Sequence, residues 1–194
     1  MNKELPILTN SILEHLDVEV QNDSIYFYCS VNNKTILNLH LKIKKIHDEL
    51  LVKERTNGLK ENSSPIHLYI NSNGGWVHCG LLAYDIIKNF VRPIHTHING
   101  VAASAATLIS IAGKERTITK NSFYLIHQVS SGVWGTHQNI IDEKINLDKI
   151  MDNIIQIYQR NSKIKRESLN RLLKHDLYLT SQETFSFKLV DKIV

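Results

Sequence analysis

The chain has 194 residues, 42% hydrophobic and 22% charged, with a net charge of +4. That length buries a sizeable core and that composition is ordinary for a globular protein, which argues against disordered and membrane-spanning classes. Lysine and arginine are spread along the chain with no basic block interleaved with aromatics, so the charge does not point to nucleic acid.

Cys29 and Cys79 lie far apart in no metal or redox spacing, and Met1-Asn2-Lys3-Glu4-Leu5-Pro6 lacks a secretory apolar stretch; both predict a reducing, cytoplasmic setting. Residues 1–24 are mixed and polar, offering only a short amphipathic turn over 12–16. A strand is predicted over 25–29. A helix follows over 34–52, with Leu37, Leu41, Ile43, Ile46 and Leu50 at helical spacing. The polar stretch 53–64 reads as a surface loop, and Pro65 opens a strand over 66–70. Beyond Asn71-Ser72-Asn73-Gly74-Gly75 a helix over 77–90 should bury Leu81, Leu82, Tyr84, Ile86, Ile87 and Phe90, until Arg92-Pro93 stops it. A strand over 94–98 leads through Gly100-Val101-Ala102-Ala103-Ser104-Ala105-Ala106-Thr107 into a helix closed by Gly113.

Strands over 116–119 and 123–126 are predicted to pair about a turn at Asn121-Ser122. A Gly- and Ser-containing segment after His127 precedes a long helix over 138–161, which stands apart and is predicted to project and serve assembly. A shorter helix over 166–174 follows. Thr180-Ser181-Gln182-Glu183 is a capping box for a last helical turn. No repeat or linker divides the chain, so one α/β domain is expected over 25–194 after a distinct N-terminal segment.

Three places could carry chemistry. Ser104 falls where strand becomes helix, beside unpartnered helix N–H groups and the positive end of the helix dipole; taken alone it reads first as a helix N-cap, and it also suits a nucleophile. Gly74-Gly75 has the same local setting. It reads as a tight turn, or as a backbone N–H aimed at a carbonyl oxygen, and it lacks a phosphate-binding spacing. His127 ends an apolar strand, where it reads as a partly buried polar residue or as a general base that could reach a serine. Asp176, between a helix end and a short apolar strand, could orient that imidazole, with Asp191 as its rival in what looks like an exposed terminal turn. His95 and His97 share a strand face at i, i+2, but no third ligand supports a metal, and no cofactor fingerprint is present.

Together these positions resemble the ClpP family, the proteolytic subunit of the ATP-dependent Clp protease. The carrying residues are Tyr69-Ile70-Asn71-Ser72-x-Gly74-Gly75-x-Val77, Gly80-Leu81, Ala83-Tyr84-Asp85, Gly100-x-Ala102-Ala103-Ser104, Ala112-Gly113-Lys114-x-Arg116, Ile126-His127-Gln128 and Asp176-x-Tyr178-Leu179-Thr180. The resemblance implies a crotonase-like α/β spiral with a projecting strand–helix handle. It implies Ser104 as nucleophile, His127 as general base, Asp176 as orienting acid, and the N–H groups of Gly75 and Ala105 as the oxyanion site. Gly74, Gln128, Val129 and Ser130 would meet the substrate, with the segment after His127 offering a strand edge to it.

The family's assembly is implied too: a homo-oligomer of stacked heptameric rings, taking unfolded polypeptide from an AAA+ unfoldase. Several positions depart from the family pattern. Ala105-Ala106 stand where Met-Gly is usual, Val129 where proline is usual, Ser130-Ser131-Gly132 at the following glycine pair, and Asn73 before Gly74; residues 1–24 do not resemble the family's axial loop. Two other readings share the fold: an inactive assembly subunit, which the presence of all three candidate residues opposes, and an acyl-CoA enzyme, for which no catalytic carboxylate or adenine site is visible.

Overall fold

Alternating apolar strands and amphipathic helices give the α/β layering expected, and the computed structural model describes residues 18–194. The turn expected over 12–16 lies outside the described residues. Strand β1 (Glu19–Gln21) forms a hairpin with β2 (Ser24–Phe27), a pairing that straddles the boundary drawn at residue 25. From β2 the sheet continues in parallel through β3 (Ile66–Ser72), β4 (Ile94–Ala103), β5 (Arg116–Ile118) and β8 (Lys192–Ile193). Helices α1 (Asn33–Thr56), α2 (Val77–Lys88) and α3 (Ala105–Ile111) are the crossovers, and α1 opens on a capping box between Asn32 and Thr35.

The pairing expected between residues 116–119 and 123–126 is not made. Instead β5 lies beside the first half of β4, while β6 (Phe123–Leu125) lies beside its second half, with Ala103 opposite Leu125. Strand β4 is long enough to serve both, and Ser122 ties the turn back to it by accepting from the Gly100 amide at 2.6 Å. A short β7 (Leu179–Thr180) closes antiparallel on β6 and leads into α6 (Ser181–Ser186), opened by the capping box of Thr180 and Glu183.

Helix faces differ from the sequence expectation in two places. Leu37 and Leu41 are 60% and 57% exposed; Ile36, Leu39, Ile43 and Ile46 form the buried stripe of α1. Apolar residues sit at both sets of positions, and the i, i+3, i+7, i+10 set includes the β-branched residues that meet the sheet. On α2, Leu82 faces out while Cys79, Ala83 and Ile87 face in. The loop assigned to 53–64 is partly helix, since α1 runs to Thr56 and buries Glu54 against Arg92.

Asp191 is not a free terminal turn. It accepts from Arg116 at 2.6 and 3.0 Å and from the Arg116 amide at 3.0 Å, which docks the last strand on β5.

Helix α4 (His137–Asn161) buries only its second half, through Ile154, Ile155, Ile157 and Tyr158. Its first half projects, with Ile140, Ile141 and Ile145 exposed and Trp134 just before it fully so. The handle is helical but residues 126–136 form no strand within this chain. Helix α5 (Arg166–Leu173) returns to the core through Leu169 and Leu173. Among the described residues no helix is long and apolar enough to cross a membrane.

Candidate active site

Ser104 sits between β4 and α3 with φ 54° and ψ −128°, a conformation that a non-glycine residue adopts only when its surroundings impose it. Its amide donates to the Leu125 carbonyl at 2.9 Å, and its carbonyl accepts from the Thr107 amide at 3.0 Å. The hydroxyl makes no capping bond to α3, so the N-cap role left open by the sequence is not taken. It lies instead 2.7 Å from His127 Nε2.

The position of His127 follows from sheet register. Because Leu125 pairs with Ala103, the chain leaves β6 alongside the serine turn, and the Gln128 amide then bonds to the Leu173 carbonyl at 2.9 Å. That clamp joins the strand end to the C-terminus of α5. The same helix end, three residues on, delivers Asp176, whose Oδ1 is 2.9 Å from His127 Nδ1. One imidazole therefore bridges a hydroxyl and a carboxylate contributed by three separate elements. The His127 side chain is 28% exposed and that of Asp176 79%, so the carboxylate works in water-screened surroundings and the hydroxyl end is the drier one.

Gly75 has φ 151° and lies in a bridge to Val31. Val31 donates to the Gly74 carbonyl and accepts from the Trp76 amide, each at 2.8 Å, which leaves the N–H of Gly75 itself pointing away from Val31; Gly75 is one of the residues that line the cleft. A Cβ on Gly75 would stand 2.2 Å from the Val31 carbonyl oxygen. The backbone behind it is thus enough to require a glycine at this position. Gly74 has its amide on Ser72 Oγ and its carbonyl on Val31, and a Cβ there would meet the serine turn. It packs the turn and does not line the cleft.

The cleft itself has a volume of about 380 Å³ and runs past Ser104 and His127, with Gln128, Val129 and Ser130 along one side and Leu108 and Ile154 forming apolar wall. The Val129 amide rests against Met151 Sδ at 3.2 Å, a weak acceptor that a better one can displace.

His95 and His97 lie on the far side of the sheet, with His67 completing a cluster. His67 Nδ1 is 2.9 Å from His97 Nε2, and His97 Nδ1 is 2.8 Å from Thr117 Oγ1. Among the described residues no group of three or more His, Cys, Asp or Glu is arranged to hold a metal ion. Burial first, then the neighbouring His67 and His95, push His97 from its ordinary 6.5 down to about 4. The fold thus prefers the neutral ring, while the unfolded chain takes up a proton near 6.5. The stabilisation is complete above that pH and is lost as pH falls toward 4. Melting temperatures measured from pH 7 to pH 5 should fall, and the fall should be shallower in His97→Asn.

A model of the Clp protease family matches residues 17–194. The chain belongs to the Clp protease family. An ATP-dependent Clp protease proteolytic subunit from Deinococcus radiodurans is 29% identical over 131 residues, covering 66% of this chain and 64% of that protein, so the match spans less than two thirds of the relative's length. A mutant of ClpP1 from Listeria monocytogenes superposes with a TM-score of 0.76 at 20% identity, covering 97% of this chain and 96% of that one. The fold is therefore that of ClpP, and Clp protease membership makes the chain one of a family of peptidases. Within this Clp protease chain the sequence motifs pick out Ser104, His127 and Asp176, which the fold brings within hydrogen-bonding distance. They do not pick out Val31 or Leu173, whose backbone groups hold the site in shape. No spacing signals such a contact, since any residue type can supply a main-chain atom.

Proposed function

We propose that the chain is a serine endopeptidase of the ClpP type, a single peptidase domain in which Ser104 is the nucleophile, His127 the general base and Asp176 the orienting acid. The observation that carries this reading is the imidazole of His127, 2.7 Å from the Ser104 hydroxyl and 2.9 Å from the Asp176 carboxylate. His127 Nε2 takes the Ser104 proton as Oγ bonds to the scissile carbonyl carbon, and the carbonyl electron pair moves onto oxygen. The N–H groups of Gly75 and Ala105 receive that oxyanion. As the tetrahedral species collapses, the C–N bond breaks and His127 returns the proton to the leaving amine. Water then releases the acyl group by the same route in reverse. Asp176 fixes the tautomer that leaves Nε2 free to accept.

The substrate is an unfolded polypeptide, lying along Gln128, Val129 and Ser130, a segment that pairs with no strand among the described residues and whose Val129 amide has only a thioether for acceptor, which suits backbone pairing with an extended chain. Cleavage takes place inside a chamber of stacked heptameric rings, fed by an AAA+ unfoldase and working in the cytoplasm. The projecting half of α4, with Ile140, Ile141 and Ile145 outward and Trp134 exposed just before it, supports assembly between copies, because a patch of that kind is otherwise left against water.

A fluorophosphonate probe should label the wild-type protein at Ser104, and Ser104→Ala should lose the label. Labelling that persists in the variant would move the nucleophile elsewhere. Native mass spectrometry should return a multiple of seven chains; a monomer at micromolar concentration would count against the chamber. An oligomer that neither labels nor cleaves would revive the reading as an inactive assembly subunit.

A further inference from the structure

Behind the serine turn lies a hydrogen-bond relay that none of the motifs includes. Thr107 Oγ1 is bonded both to the Ser104 carbonyl oxygen and to the Tyr158 hydroxyl. A threonine hydroxyl has one proton and a carbonyl can only accept, so the proton goes to Ser104 and Tyr158 donates to the threonine oxygen. From another side the Tyr124 hydroxyl donates to the Thr107 carbonyl at 3.1 Å. Thr107 and Tyr124 are fully buried and Tyr158 is 2% exposed. Burial raises both phenols above the ordinary tyrosine value, which keeps them protonated donors.

The carbonyl held by this relay shares its peptide group with the N–H of Ala105. A trans peptide is planar, and its C=O and N–H point in opposite directions. Holding the oxygen of Ser104 therefore aims the amide of Ala105, a residue that lines the cleft. The positive φ of Ser104 is one that its surroundings must impose, and this hydroxyl adds to the Thr107 amide, which donates to the same carbonyl at 3.0 Å. Tyr158 reaches it from α4 and Thr107 from the first turn of α3.

We propose that Thr107 and Tyr158 are positioning residues for the oxyanion site, fixing the plane of the 104–105 peptide so that the Ala105 N–H faces the reacting carbonyl. The role rests on the reading of Ser104 as nucleophile given above. Tyr158 borders the cleft and Thr107 lies behind it, and the hydroxyl of Tyr158 is turned to Thr107. Both act through Ala105.

Tyr158→Phe and Thr107→Val remove the relay hydroxyls while keeping side-chain shape. The test measures kcat and KM on a fluorogenic peptide, and the rate of inactivation by a fluorophosphonate whose phosphoryl oxygen occupies the oxyanion position. In each variant kcat and the inactivation rate should fall together by about 5- to 50-fold, part of the roughly 10²- to 10³-fold lost when an oxyanion donor is removed outright. KM should stay within about twofold, since the interaction is made in the transition state. Thr107→Ser should restore the rate, and the double variant should be no slower than the worse single one, because both act through one bond. Unchanged kcat in variants whose melting curves show them folded would overturn the relay, as would a change confined to KM. If Thr107→Val does not fold, Tyr158→Phe decides by the same criterion. A wild-type protein that does not label at Ser104 overturns the nucleophile reading and the relay with it; normal wild-type labelling beside unaffected variants overturns the relay alone.

Discussion

Replacing Ser104 by alanine should lower the hydrolysis of a short fluorogenic peptide by on the order of 10⁴- to 10⁶-fold, the range seen when a serine nucleophile is removed from a triad. The melting temperature should scarcely move. The hydroxyl makes no capping bond, and the positive φ at position 104 is as unfavourable for serine as for alanine, so its removal leaves the backbone balance unchanged. Loss of rate without loss of fold is what separates a reacting group from a structural one. Asp176→Asn should lose less, about 10²- to 10⁴-fold, because its carboxylate is largely exposed and water replaces part of its effect on the imidazolium. A Ser104→Ala protein that still hydrolyses the peptide at a tenth of the wild-type rate would remove the mechanism proposed for this fold.

Truncating Arg92 should give the largest change in stability. Its guanidinium meets both oxygens of Glu54, at 2.7 and 2.8 Å, and the Ser64 carbonyl at 2.6 Å, with neither partner exposed. The Glu54 carboxylate also accepts from the amides of Asn62 and Ser64, at 2.8 and 2.9 Å. Arg92 foremost, with those amides, holds its carboxyl well below the usual carboxylate range. Arg92→Leu leaves that charge buried without its counter-ion, and the melting temperature should fall by roughly 6–20 °C. Adding Glu54→Leu should recover much of the fall, since a buried pair replaced by apolar side chains is often no less stable. A depressed carboxylate stabilises above its unfolded pKa and loses that contribution as pH falls, so the single variant should also show a shallower acid limb than the wild type. A fall under 2 °C in Arg92→Leu would mean that the loop over 57–64 is held by something else.

What the sequence made legible and what it did not divide along physical lines. Short-range rules worked where the signal and its cause lie within a few residues. The capping box at Thr180 and Glu183 is one case, and the long α4, which begins within one residue of the expected start, is another. Ser104, His127 and Asp176 could be named because their flanking motifs mark them, although nothing local says that they meet. Pairings that depend on distant partners stayed hidden. Glu54 looked like one more loop acid because its partner lies 38 positions away, and Thr107 gave no hint of a tyrosine 51 positions on. The exposure of Leu37 and Leu41 was misread for a related reason: α1 has enough apolar residues for more than one stripe, and only the sheet beneath it selects the buried one. The supposed hairpin between 116–119 and 123–126 failed because turn chemistry at Asn121-Ser122 marks a change of direction without specifying which strand receives the chain next.

That choice of neighbour has a bearing on engineering. Since β6 is laid against the distal half of β4, the hydroxyl-to-imidazole spacing is gauged by ladder rungs, and the connection between β5 and β6 acts as a ruler. Adding or deleting one residue among 119–122, a turn pinned to β4 by the buried Ser122, should slide Leu125 by one rung and swing His127 to the opposite side of the sheet. A length change in so short a bend should therefore silence the chemistry, by moving the imidazole away from the hydroxyl.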